Sequence, residues 1–197
     1  AYPVSALPQI VVTPRKNDTA HLMLKRLQKK WMVDETSGLA DLSAKVIDRT
    51  GPRVFKDDPL RMLRAFRSAA ELGFSISERT LAQIKKDHAL IVRSAGERVH
   101  EELDRLFATS HAYENLVLMD KCSLLTALFP ELEPQRTCAE VYYGKGGVFT
   151  HTLAVFKRME YLLDHLPQAF AKYAKKLAPY AQNKPLYKMA ALLHDVA

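Results

Sequence analysis

Apolar residues recur at helical spacing through most of this chain. Leu60, Leu63, Phe66 and Ala70 fall three and four residues apart, the period at which side chains share one face of a helix. Asp57 and Asp58 stand just before Pro59, and Gly73 ends the run. The pattern predicts a helix that begins at an acidic pair, takes Pro59 at its first position and stops at Gly73. Upstream, Leu22, Leu24, Leu27 and Trp31 alternate with lysines and predict a basic helix from Asn17. Gly38 to Ile47 reads as a further short helix, closed by the Thr50-Gly51-Pro52 turn. Ser77 opens SERTLAQIKK, and Ser94 and Glu97 have the spacing of a capping box before a helix carrying Leu103, Leu106 and Phe107.

Breaks are expected at His88 to Arg93 and at Pro130 and Pro134, and three more helical stretches follow Thr150, around HTLAVFKRMEYLLDHL, QAFAKYAKKL and PLYKMAALLHDVA. Tyr142 to Gly147 is the one glycine-rich spot; it fits neither phosphate-loop spacing and reads as a hinge or loop between two helical regions. The first sixteen residues differ. Pro3, Pro8 and Pro14 surround Ile10-Val11-Val12-Thr13, which predicts a short strand or extended arm. The fold class is therefore all-α with a short extended N-terminal arm.

Charge narrows the partners. The 197 residues carry 29 basic against 22 acidic side chains, a net charge of +7, which favours polyanions, with nucleic acid first and an anionic membrane surface second. No apolar run is long enough to span a bilayer, and the N-terminus lacks the pattern of a signal peptide, so the reading is cytoplasmic. Cys122 and Cys138 are too few for a disulfide scaffold and are expected to be buried thiols. His21, His88, His100, His111 and His165 have no partner spacing and read as surface or satisfied histidines. The lysines of KRLQKK and AKYAKKLAPYAQNK, with Tyr173 and Tyr180, are either RNA contacts or solvated helix faces.

The chemistry gathers at the start of the Pro59 helix. Asp58 and Arg61 are three residues apart and share a face, with Arg64 and Arg67 farther along. One reading is an ion pair worth a few tenths of a kcal/mol. The other is recognition of a base. A carboxylate only accepts and a guanidinium only donates, so the pair complements an exocyclic amine beside a ring acceptor. Cytosine and adenine present that edge, whereas uracil and guanine put a carbonyl where the amine would be.

Four segments, DETSGLADL (34–42), KDDPLRMLRAFRSAAELGFSIS (56–77), SAGERVHEELDRLF (94–107) and LLTALFPEL (124–132), resemble in order and spacing the middle of class II tRNA nucleotidyltransferases and the related bacterial poly(A) polymerases. The resemblance implies a multi-helix neck and body. It implies an arm and basic helix over 1–33, a nucleotide-template and RNA-binding domain over 34–140, and the start of an HD-type domain over 148–197. Asp34, Gly38 and Asp41 would carry the flexible element that couples nucleotide binding to movement. Asp57, Asp58 and Arg61, with Arg64, would form the nucleotide template. The implied partners are RNA, in particular tRNA, with CTP and ATP, and the implied activity is addition of C and A, or of poly(A), to RNA 3′ ends.

Two departures stand out. Asp57 replaces the family's usual Glu, and Val54 stands where an Arg is often found. Nucleotidyl transfer also needs carboxylates that hold Mg2+, and no Asp-x-Asp occurs in the chain. The expectation is that these carboxylates belong to a head domain absent from this sequence, so that the chain alone does not catalyse transfer. His151 and His194-Asp195 resemble the opening ligands of an HD-type phosphohydrolase and would hold a divalent metal, in a domain the sequence leaves incomplete. Two alternatives remain: an HD-type metal-dependent phosphohydrolase, or a non-catalytic RNA-binding helical module.

Overall fold

The computed structural model describes residues 34 to 196. The predicted arm and its Ile10 to Thr13 strand, the basic helix with its KRLQKK cluster, and His21 lie outside the described residues, as does the side chain of Tyr180. In chain order the elements are α1 (Gly38–Ala44), β1 (Val46–Ile47), α2 (Val54–Asp57), α3 (Leu60–Leu72), β2 (Ser75–Ile76), α4 (Glu78–Asp87), α5 (Gly96–Ala108), α6 (Ala112–Lys121), α7 (Leu124–Leu128), α8 (Glu140–Tyr143), α9 (Gly147–Ala169), α10 (Ala174–Gln182) and α11 (Lys184–Leu193). Short 3₁₀ helices fill His88–Arg93, Pro130–Leu132, Pro134–Arg136 and Ala171–Tyr173. The all-α expectation holds.

Helix α3 is the centre of the packing. Leu60, Met62, Leu63 and Phe66 are fully buried, each contributing about 2 kcal/mol of hydrophobic burial, and the helix lies against α5 and α6. Gly73 ends it in the left-handed region at φ 65°, where its N–H and that of Phe74 both donate to the Ala69 carbonyl. A side chain there would be strained, which is why the glycine stop was readable. Helix α11 packs on both α9 and α5. The Gly144 to Gly147 turn joins α8 to α9 within one compact unit that begins at Gly38.

Four sequence expectations are corrected. Gly38 to Ile47 is not one helix: Lys45 turns left-handed at φ 56°, and Val46–Ile47 becomes a strand that pairs in parallel with Ser75–Ile76. β-branched Val46 and Ile47 suit that extended pairing better than a helix. Asp57 does not start α3. It closes α2, leaving Asp58 alone at the junction. The predicted capping box does not form either, because Ala95 takes the cap position, and the buried Ser94 hydroxyl finds no partner among the described residues. Finally, Cys122 is buried as expected but Cys138 is exposed.

Candidate nucleotide-binding site

Asp58 sits where α2 ends and α3 begins. Its backbone is extended, its N–H donates to Val54 O at 3.3 Å, and its Oδ1 accepts from the Leu60 N–H at 3.2 Å. That bond satisfies one of the orphan donors of the helix start. It also turns Oδ2 toward three guanidiniums: Arg61 at 3.8 Å, Arg64 at 3.9 Å and Arg98 at 3.6 Å. These separations are ion pairs longer than hydrogen bonds, so a ligand edge can take up the directional contacts of the cluster. Asp57 does not join it. Its side chain is 58% exposed and pairs with Arg53 at 3.9 Å.

The stripe of arginines divides by role. Arg64 Nε donates to Glu102 Oε1 at 2.7 Å and Arg67 Nε to Oε2 at 2.9 Å, while Arg67 and Arg105 also bind Glu71. Glu102 is 8% exposed. Burial pushes its carboxyl up, but the hydrogen bonds from Arg64 and Arg67 outweigh that and hold it below the ordinary glutamate value. Arg67 is thus committed to structure. Arg61 reaches outward, and Arg64 stands between the two roles.

A cavity of about 450 Å³ opens beside this cluster, lined by Arg49, Arg61 and Arg64 with Ile47, Phe55 and Ala65 as apolar wall. On its rim Asp48 accepts from Arg49 N at 2.8 Å, Ser77 Oγ at 2.7 Å, Thr80 Oγ1 at 2.8 Å and Arg79 Nε at 2.5 Å. The Arg79 hydrogen bond is the main reason that its carboxyl lies far below the usual aspartate range. Sequence reasoning missed Asp48, Arg49 and Arg98 as neighbours of the site. Asp48 and Arg49 lie in a stretch read as helix end and turn, and Arg98 reaches Asp58 only through the packing of α5 on α3.

Of the expected flexible element, Gly38 begins α1 and Asp41 lies in its first turn, while Asp34 lies before it. The second predicted cluster does come together. Ligand atoms of His151, His194 and Asp195 all lie within 4.8 Å of one another. His194 Nδ1 faces the Ala191 carbonyl at 2.9 Å. A carbonyl only accepts, so Nδ1 donates in that contact, while Nε2 faces Asp195 Oδ2 at 3.1 Å, on the side where a shared metal would lie. Two imidazoles and a carboxylate form a donor set that fits a divalent transition metal. The Tyr143 ring lies 4.9 Å from that of His151. Among the described residues no helix is long and apolar enough to cross a membrane.

Residues 73–136 match the family described as the probable RNA- and SrmB-binding site of polymerase A. Over 156 residues the chain is 33% identical to the multifunctional CCA protein of Vibrio cholerae, covering 71% of this chain and 36% of that protein. It is 38% identical over 98 residues to a CC-adding tRNA nucleotidyltransferase of Geobacter sulfurreducens, covering 50% of this chain and 23% of that one. The matches thus span about a third or less of these relatives' lengths. Among solved structures, a tRNA-processing enzyme in an apo form shares the fold with a TM-score of 0.62 at 22% identity, over 84% of this chain and 39% of that one. With an RNA-binding family of polymerase A matched at residues 73–136 and CCA- and CC-adding enzymes among the relatives, the chain carries a class II CCA-adding enzyme and poly(A) polymerase-like region.

Proposed function

We propose that the described residues are the nucleotide-selecting and RNA-binding part of a cytoplasmic enzyme that adds C and A, or poly(A), to the 3′ ends of RNA from CTP and ATP, with tRNA as the favoured acceptor. The observation that carries this reading is Asp58 with its ring of arginines beside an open cavity. Asp58 Oδ2 accepts from the exocyclic amine of cytosine or adenine, and Arg61 donates to the adjacent ring nitrogen. Uracil and guanine are rejected because their carbonyl oxygens face the carboxylate. Arg64 and Arg98 pair with that carboxylate and hold it in place. Asp34, Gly38 and Asp41 provide the flexible connection. Basic side chains such as those of α10 bind RNA phosphates, which positions the RNA without reading its sequence.

The transfer step needs Mg2+ held by paired carboxylates. No Asp-x-Asp is present in these 197 residues, so the chain's own contribution is selection and binding. The test is Arg61→Ala in the intact protein. Discrimination of CTP and ATP from UTP and GTP is expected to collapse while the far-ultraviolet circular dichroism stays unchanged. Unaltered incorporation ratios would refute the template assignment.

A second reading rests on the His151, His194 and Asp195 cluster: a divalent metal there would activate water for phosphoester hydrolysis. Metal analysis of the purified protein is expected to show one ion, lost in His194→Ala. Equal metal content in the two proteins would remove this reading.

A further inference from the structure

Arg49 stands apart from the other arginines of the cavity. Arg64 is bonded to Glu102, and Arg61 faces Asp58. The Nε of Arg49 is buried and has no hydrogen-bond partner among the described residues, a state that leaves part of a cation's desolvation unanswered. The neighbouring carboxylate does not answer it. Asp48 accepts the backbone N–H of Arg49, and its remaining capacity is taken by Ser77, Thr80 and Arg79. The Arg49 N–H is also held by Thr80 Oγ1 at 2.9 Å. The Arg49 backbone N–H is therefore shared between two acceptors, which anchors the residue's main chain at the cavity wall.

The charge balance of the cavity says what would complete it. Its lining has one carboxylate, Asp48, already ion-paired to Arg79, against three guanidiniums, Arg49, Arg61 and Arg64. Arg61 and Arg64 are countered from outside the lining by Asp58 and Glu102, which leaves Arg49 as the lining guanidinium with no ion pair among the described residues. Apolar side chains of Ile47, Val54, Phe55 and Ala65 complete the wall, which lowers the local dielectric and strengthens any charge pairing made there. A guanidinium on the wall of such a cavity, with no ion pair among the described residues, fits an anionic oxygen, and planar, forked donors suit phosphate in particular.

We propose that Arg49 is a further nucleotide-binding residue, donating to a phosphate oxygen of the bound nucleoside triphosphate while Asp58 and Arg61 read its base. The inference rests on the nucleotide-selecting reading of the same site. It divides the labour of the cavity: Arg61 distinguishes bases, and Arg49 grips what all nucleotides share.

Calorimetric binding of CTP, ATP and cytidine to the intact protein and to Arg49→Met tests it. The variant is expected to bind both triphosphates about tenfold or more weakly, the size of one charge-assisted hydrogen bond, with the CTP to ATP ratio and cytidine binding unchanged. Arg49→Lys, which keeps the charge but not the fork, is expected to recover part of the loss and guards against a folding defect in the methionine variant. Unchanged triphosphate binding in Arg49→Met overturns the proposal and leaves the base-reading pair standing. A loss for CTP alone, or an equal loss for cytidine, overturns it in favour of a contact to the base or sugar. Failure of the unaltered protein to bind either triphosphate refutes the nucleotide reading itself, and Arg49 with it.

Discussion

Arg64 and Glu102, thirty-eight residues apart in sequence, are joined by a 2.7 Å hydrogen bond that fixes an arginine of the Asp58 cluster to the neighbouring helix. Because Glu102 also holds Arg67, Glu102→Gln removes the countercharge of two guanidiniums. The expected loss is about 2 kcal/mol of stability, read as a lower urea midpoint. Its charge contributes stability above the unfolded glutamate value of about 4.3 and loses it as pH falls through the lower folded value. The gap between wild type and variant is therefore expected to narrow on acidification.

Asp48 should behave in the same sense and more strongly. Its folded carboxyl lies below its unfolded value of about 4, so its contribution is whole above that pH and declines as pH falls further. Asp48→Asn is expected to be less stable than wild type at pH 7, with a flatter stability profile below pH ~4. Parallel profiles for the two proteins would contradict the assignment.

How much of this was legible in the sequence depends on the range of the forces. The α3 helix, its glycine stop and its buried face follow from local spacing, and so did the pairing of Asp58 with Arg61 three residues on. Ser77 capped α4 as its position predicted, accepting the Thr80 N–H. The partners of Asp58 and Arg64 from α5 could not be read, because Arg98 and Glu102 come near only when two helices pack. The strand pair failed for the same reason: two residues carry too little periodicity to be seen, and their partners lie twenty-nine positions away. Ser94 and Glu97 had the right spacing and the wrong register.

A buried ion pair far from the cavity should dominate stability. Lys188 is fully buried, and its Nζ donates to Glu160 Oε2 at 2.6 Å and to the Thr109 carbonyl at 2.6 Å. Glu160 in turn accepts the Ala112 and Tyr113 N–H groups that open α6. A cation thus meets the end of α5 and an anion the start of α6, the arrangement helix dipoles favour. Lys188→Met strands Glu160 and is expected to cost about 3 kcal/mol. Adding Glu160→Gln should cost less than the sum of the two single changes, a coupling measurable by a double-mutant cycle.

Gly147 is expected to tolerate no side chain. It opens α9 at φ 53°, and a Cβ there would meet the Cys138 carbonyl and lie 2.6 Å from that of Gln135. Both obstacles are backbone and cannot swing aside. Gly147→Ala should lower thermal stability well beyond the roughly 1 kcal/mol of an ordinary left-handed substitution. Gly73→Ala, at φ 65° and ψ 35° with nothing near its Cβ, should show only that smaller loss.

The short parallel ladder has a consequence for how selectivity can change. Ser75 N–H binds the Lys45 carbonyl and Ser77 N–H binds that of Ile47, each at 3.0 Å, so the chain from Lys45 to Ser77 closes on itself. Arg49, Asp58, Arg61 and Arg64 all lie on that loop of chain. The base reader and the arginine proposed to grip phosphate are therefore mounted on one ring of fixed perimeter. They travel together in any rigid movement, and only opening the clasp would separate them. That makes residues 45 to 77 a natural unit for exchange between relatives, a cassette whose transfer should carry nucleotide preference with it.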